Sequence, residues 1–351
     1  MQRKNNLKKE GRVYLRKKEK IMLNMLLRNG RTFNTSISRK LKISSQVTGR
    51  IRRKLERKGI IRGYSIELDN HFLGIRAFVL ARINIEGDHE EKLMTKNLLD
   101  LYRVLGNSTT HIAIYGFTSL KESDDYFRSL IEHSGNIKII NTYSFPIEGL
   151  IKHSSKNLFY DALREFDKSG TYRDYPKKKG RRWKKLIASE KSVLQSLVKN
   201  SNMSCKNISY NLSNMDLTST GVYMIKNRLE NQGVIRGYNV NLDYEKLGVS
   251  IFAFIFLSPK SESLRQEESL IKRCHGSPYV ISCFRLNEEA AMFCGFKNLD
   301  DLENYCNNIL RNKFSDFVKI KHVFIISPKG IIKESFDNLY LGLLEDKNKS
   351  I

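Results

Sequence analysis

Apolar positions near the N-terminus recur at helical spacing, switch to alternation, and make the same switch again further along the chain. Residues 17–28 place Ile21, Met22, Met25 and Leu26 on one face, which predicts a helix. Residues 34–41 carry Ile37 and Leu41 on a shorter helix, and the "KIS" of 42–44 is a tight connection. Ser44 or Ser45 caps a third helix running to Lys58, with Val47, Ile51 and Leu55 facing inward and Gly59 closing it in the left-handed position. "IIRGYSIEL" then alternates, which predicts two short strands about Gly63, a hairpin. Three helices followed by a small hairpin describe a winged helix-turn-helix.

From Ile75 the pattern reads strand (75–85), helix (90–101), then the strands "YRVLG" and "HIAIYGF" joined by "NSTT". A helix over 120–134 and the strand "IKIINTYSF" complete a β-α-β-β-α-β unit, the ferredoxin-like order. One face of such a sheet is covered by its helices. The other is apolar and needs a partner sheet.

The pattern is then written a second time. "GIIRGYSIELDNHFLGI" (59–75) and "GVIRGYNVNLDYEKLGV" (233–249) share nine of seventeen positions, and three more exchange Ile for Val. Upstream, 19–41 matches 190–212 at an offset of 171; three extra residues near Ser213–Met215 then raise the offset to 174. Downstream, "PIEGLIKHSSKNLFY" (146–160) is similar to "PKGIIKESFDNLY" (328–340). The expected fold class is α+β: two tandem copies of a winged helix-turn-helix followed by a ferredoxin-like β-α-β-β-α-β domain. The expected domains are 1–68 (first winged helix-turn-helix), 69–170 (first ferredoxin-like domain with a C-terminal helix), 171–242 (basic linker and second winged helix-turn-helix) and 243–351 (second ferredoxin-like domain with a C-terminal helix). The two ferredoxin-like domains are expected to pair within the chain, at high effective concentration. A homo-oligomer is left open.

Charge sharpens this picture because it is localised. The chain of 351 residues has a net charge of +25. Residues 1–62 hold 21 basic and 3 acidic side chains, and residues 171–236 hold 14 and 4, so the remainder is slightly acidic. Two cationic blocks that each end at a copy of the repeated motif imply a polyanion partner, double-stranded DNA above all. Like charges crowded on one helix destabilise it in isolation and become tolerable against phosphates. The predicted DNA-binding residues are Ser44, Ser45, Gln46, Thr48, Arg50, Arg53, Lys54, Arg57 and Arg62 in the first copy. In the second they are Ser219, Thr220, Tyr223, Lys226, Asn227 and Arg236. The linker "YPKKKGRRWKK" adds Lys177, Lys178, Lys179, Arg181 and Arg182 as an arm along the sugar–phosphate chain.

The five cysteines lie in the second half without a C-x-x-C pair, which argues against a disulfide framework or zinc site and for a reducing compartment. The seven histidines lack metal-ligand spacing. No metal, cofactor, membrane span or signal peptide is expected, and the expected setting is cytoplasmic and nucleoid-associated.

The run "ISSQVTGRIRRKLERKGIIRGYSIELDNHFLG" (43–74) followed by the ferredoxin-like unit resembles the Lrp/AsnC, or feast/famine, transcriptional regulators of bacteria and archaea. The resemblance covers nearly the whole chain, twice. It carries the recognition helix, the G-[IV]-I-x-G-Y wing and the L-D-x-x-x-L-G entry to the family's RAM-type domain. It implies that Ser45, Gln46, Thr48 and Arg50 stand at the DNA-reading end of the helix, and it points to Gly106, Asn107 and Thr109 as the effector turn. That turn lacks the family's aspartate, and the corresponding stretch of the second copy is expected at Ser282-Cys283-Phe284-Arg285. The function implied is a non-catalytic DNA-binding transcriptional regulator with two helix-turn-helix heads on a pseudo-palindromic or two-part site. The alternatives are an architectural, chromatin-like DNA binder, or an enzyme similar to the siroheme decarboxylases, which pair two such units.

Overall fold

The computed structural model describes residues 13–106, 109–153, 185–259, 277–286, 289–307 and 318–345. The first half opens with helices α1 (Lys17–Arg28), α2 (Asn34–Leu41) and α3 (Ser45–Arg57), followed by strand β1 (Ile61–Leu68). It continues with β2 (Ala77–Ile85), β3 (Leu98–Arg103), β4 (His111–Phe117), α4 (Leu120–His133), β5 (Ile137–Pro146) and β6 (Leu150–His153). The second half presents α5 (Ala188–Lys199), α6 (Cys205–Asn211), α7 (Ser219–Gln232) and β7 (Ile235–Leu242). Then come β8 (Ile251–Pro259), β9 (Val280–Leu286), β10 (Glu289–Phe296), α8 (Leu299–Asn304), β11 (Val318–Ile326), β12 (Ile331–Glu334) and α9 (Asp337–Glu345). Among the described residues no helix is long and apolar enough to cross a membrane.

The wing differs from expectation. Ile61–Leu68 is one unbroken strand, and Gly63 does not take the positive φ that a tight hairpin demands. Its partner is β7 of the other half, antiparallel, with Ile61 facing Leu242 and Leu68 facing Ile235. Because each strand stands at the same place in its own half, this register is reciprocal and relates the two heads by an approximate two-fold. A lone strand would leave an unpaired ladder edge, and the equivalent strand supplies it.

The same exchange happens at the sheets. Their orders are β12-β3-β4-β2-β5 and β11-β8-β10-β9-β6, so each sheet has the ferredoxin-like order extended by the short last strand of the other half. The inner faces meet in one core: Tyr102 lies 4.4 Å from Phe293 and 5.2 Å from Phe254, and Phe145 lies 5.8 Å from Phe284, between ring centroids. The outer face of the first sheet is covered by Phe127 and Leu130 of α4, and that of the second by Leu302 of α8.

Three further expectations are corrected. The helix expected over 90–101 is a single 3-10 turn, Glu90–Leu93, followed by β3. Leu98, Leu99, Asp100, Leu101 and Tyr102 are all buried because β3 is covered on both faces, and an unbroken buried run has no period to distinguish strand from helix. Ser282–Arg285 is interior to β9 and forms no turn. In α3, Val47 faces solvent and Thr48 lies inside, with its hydroxyl donating to Ser44 O at 3.1 Å. The C-terminal helix expected before residue 170 lies outside the described residues.

Two glycines hold the exchanged strands in place. Gly149 and Gly330 sit in the 3-10 turns that lead into β6 and β12. A Cβ on Gly149 would meet Arg285 O at 2.8 Å, and one on Gly330 would meet Arg103 O at 2.6 Å. Those carbonyls belong to the strands that β6 and β12 join, so neither can retreat without opening the pairing. Gly149→Ala and Gly330→Ala are each expected to destabilise by about 1–3 kcal/mol in urea unfolding. A neutral or stabilising result would show that the turns are not in contact with those strands.

Candidate nucleic-acid interface

Each head builds its third helix from local signals. Ser44 Oγ accepts from Val47 N at 3.3 Å, and Thr218 Oγ1 accepts from Gly221 N at 3.1 Å, which starts α3 and α7 with a satisfied N-terminal donor. The connection from α2 turns at Lys42, in the left-handed region with φ 51° and ψ 51°. In the second half Asp216 takes the corresponding position with φ 49°, after a 3-10 turn over Ser213–Met215. That extra turn is where the repeat offset grows by three, so α6 and α7 are separated by a longer connection than α2 and α3.

The N-terminal end of α3 faces outward. Ser45, Gln46, Gly49, Arg50 and Arg53, together with Asn34 at the start of α2 and Arg52, line an open groove between the two helices. Ser44, Ser45, Gln46, Arg50, Arg53 and Arg57 are exposed. Asn34 escaped the sequence reading because nothing in its neighbourhood marks it; only the packing of α2 beside α3 brings it to the groove.

Several predicted contacts are engaged inside the protein. Thr48 is fully buried, with its hydroxyl spent on Ser44 O, and is withdrawn from the reading surface. Lys54 donates to Glu19 at 2.7 Å; burial pushes the Glu19 carboxyl up, but its bonds to Lys54 and to Arg16 N outweigh this and hold it below its usual range. The guanidinium of Arg62 holds Asp243 at 2.7 Å across the ribbon, and Arg236 holds Asp69 through Nε at 2.8 Å, the mirror-image pair. Asp69 and Asp243 also cap the turns that follow the ribbon, accepting from Phe72 N and Lys246 N. Arg52, counted with the outward cations of α3, donates to Thr32 O at 2.9 Å and stacks 5.6 Å from the Tyr64 ring. These residues fasten the heads to the ribbon and to each other.

In the second head Ser219, Thr220 and Tyr223 are exposed and Asn227 is half-buried. Lys226 is bonded to Glu230 at 3.1 Å and is corrected from a surface contact to an intrahelical pair. Lys177, Lys178, Lys179, Arg181 and Arg182 lie outside the described residues, as does Asn107. Of the expected effector turn, Gly106 is exposed with φ +152°, while Thr109 is buried with its hydroxyl accepting from Arg82 at 3.2 Å. The three are therefore not assembled as one open site by the described residues.

The comparisons agree with the first head. A family model described as winged helix-turn-helix DNA-binding matches residues 15–62, from just before α1 into β1. An uncharacterized HTH-type transcriptional regulator of Pyrococcus furiosus is 25% identical over 123 residues, 34% of this chain and 79% of that one. Another, from Pyrococcus horikoshii, is 24% identical over 153 residues, 43% of this chain and 96% of that one. Among solved structures, the siroheme decarboxylase NirDL in co-complex with an iron-uroporphyrin III analogue aligns with a TM-score of 0.57. That alignment covers 93% of this chain and 96% of that one at 11% identity, a likeness of fold.

Proposed function

We propose that this chain, an Lrp/AsnC-like protein, is a DNA-binding transcriptional regulator that uses two helix-turn-helix heads from a single polypeptide. The observation that carries the reading is the outer face of α3. There Arg50, Arg53 and Arg57 stand exposed and in no ion pair among the described residues, next to the small, hydrogen-bonding Ser45 and Gln46. Such a surface suits a helix with its N-terminal end in a major groove and its arginines on flanking phosphates. The reciprocal β1–β7 ribbon supports a pseudo-dimer, in which two tandem units, about 1–68 with 69–170 and 171–242 with 243–351, exchange their last strands. The target is then a pseudo-palindromic or two-part site occupied by one chain, and the protein's task is binding without catalysis.

The test is binding of the full chain to duplexes recovered by genome-wide mapping. Arg50→Ala with Arg53→Ala is expected to lower affinity at least tenfold, and Arg128→Ala, on the exposed face of α4, to leave it unchanged. Equal effects at the two places would remove α3 from the interface.

The fold shared with a siroheme decarboxylase favours a second reading, an enzyme acting on a tetrapyrrole. Against it, the buried His111 and the half-buried His153 are already engaged, His111 with Glu90 at 2.8 Å and His153 with Ser282 at 2.9 Å. A chromophore retained through purification, or turnover of an iron-porphyrin acid, would favour this second reading.

A further inference from the structure

The two heads are alike in fold and opposite in surface chemistry. In α3 the unpaired cations are Arg50, Arg53 and Arg57. At the corresponding positions of α7 stand Met224, Asn227 and Asn231, and Gly49 is matched by Tyr223. The only cations on α7 are Lys226 and Arg228, and both are engaged: Lys226 with Glu230 at 3.1 Å, Arg228 with Glu190 at 2.6 Å. Beyond these two ion pairs, what α7 offers to solvent is neutral. Tyr223 is 53% exposed and Met224 66% exposed, with Thr220 one turn before them and Asn227 one turn after.

Tyr223 and Met224 put apolar surface at the outward end of α7, where α3 has Gly49 and Arg50. The ribbon specifies where that surface lies. Its two-fold register, locked by the Arg62–Asp243 and Arg236–Asp69 pairs, holds α7 in the relation to α3 that the second reader of a dimer has to the first. The major groove presents one apolar group, the thymine 5-methyl, and one edge that suits an asparagine bidentately, adenine N6 and N7. Guanine is read best by arginine, which α3 has and α7 lacks.

We infer that the second head reads an A·T-rich half-site, with Tyr223 and Met224 covering thymine methyl groups and Asn227 on an adenine edge, so that the target is chemically asymmetric. The first head supplies the arginine contacts and the phosphate grip. The second supplies sequence discrimination with little dependence on salt. The inference rests on the DNA-binding reading above and extends it to the identity of the bases.

The experiment uses the full chain and a duplex selected from a random pool. In each half of that duplex in turn, thymidine is replaced by deoxyuridine, which removes the methyl and leaves every hydrogen-bonding group in place. In the half bound by α7, each contacted methyl is expected to be worth about three- to fivefold in Kd. Tyr223→Ala with Met224→Ala should abolish that sensitivity while leaving the slope of log Kd against log salt unchanged. Both side chains are exposed, so the fold is expected to be retained, and circular dichroism checks it. Met224→Arg should steepen the salt slope by about one phosphate's worth, 0.9. The inference is overturned if the selected site is symmetric with guanine contacts in both halves, or if deoxyuridine is silent in both. It is equally overturned if the double alanine variant binds as the parent does, as it would if α7 met a protein instead. Any of these results, with Arg50→Ala still weakening binding, sinks this inference alone; a chain that binds no duplex sinks the DNA-binding reading as well.

Discussion

Raising salt from 50 to 200 mM is expected to weaken DNA binding by about 10³–10⁵-fold, the response of a protein that neutralises about six to ten phosphates. The first head alone exposes Arg39, Lys40, Lys42, Arg50, Arg53, Arg57 and Lys58, and none of these forms an ion pair among the described residues. Each phosphate contact releases condensed counterions, so log Kobs falls by about 0.9 per contact for each unit of log salt. Removing Arg50 and Arg53 together should therefore flatten the slope by about 1.8. Removing Lys54 should do much less, because its ammonium is engaged with Glu19. Fluorescence anisotropy on one duplex at four or five salt concentrations separates these outcomes. A flat response in the parent chain would exclude groove binding by a cationic helix.

The second large effect is on stability, and its sign follows from burial. Asp100 is 1% exposed, and neither carboxylate oxygen has a well-formed hydrogen bond. Across the β3–β12 ladder its partner is Glu334, a second buried carboxyl, which accepts from Tyr244 at 2.8 Å. Burial pushes Asp100 up to about 8, with Lys333 and the Tyr102 hydroxyl opposing the shift. Burial and the neighbouring Asp100 push Glu334 up to about 7, opposed by His153, Tyr244 and Arg62.

A carboxyl with a raised folded pKa binds its proton more tightly in the native state. Its contribution to stability is complete below the unfolded value, near 4, and is lost as pH rises to the folded value. His153 acts in the other direction: burial lowers its pKa, so its contribution is lost only below about 6.5, the unfolded value. His111 and His322, also lowered by burial, act in the same direction as His153. Between pH 7.5 and 8 the imidazoles are neutral in both states, and the parent chain is expected to lose stability as the carboxyls ionise. Asp100→Asn removes a charge that water no longer solvates, so it should flatten the profile and stabilise more at pH 8 than at pH 7.5. Urea titrations at the two pH values are sufficient. A parent profile that is level or rises with pH, or an Asn variant weaker at pH 8, would contradict the buried placement.

The helices of the first head were legible because each is bounded by its own chemistry. Ser44 caps α3, Gly59 ends the run with φ +62°, and Ile37 and Leu41 are where helical spacing puts an inner face. Legibility failed where two alternatives satisfy the same pattern. Val47 and Thr48 stand four and three residues before Ile51, so either fits an inner face, and Thr48 can enter the core because its hydroxyl finds Ser44 O within the helix. Leu98–Tyr102 is apolar enough for either a helix or a strand, and it became a strand because β4 and β12 pair with it along both edges. On the reading surface the side chains were visible, but their availability was not. Lys54, Arg62, Lys226 and Arg236 look as free in sequence as Arg50 and Arg53, and acids at 19, 243, 230 and 69 engage them. Three of those four acids are distant in sequence from the cation they hold.

Residue order by itself determined the helices of the first head, the recurrence of one motif at 59–75 and 233–249, and the concentration of positive charge within residues 1–62 and 171–236. Periodicity, caps and composition are local, and they persist whatever the chain folds against. Only the tertiary structure decided that β1 pairs with β7, that β6 and β12 change sheets, and which arginines remain free for a partner. A strand's edge specifies that hydrogen bonds must be made, and a carboxylate that a charge must be matched. Neither specifies with whom, and that is decided by which surfaces the packed core brings together.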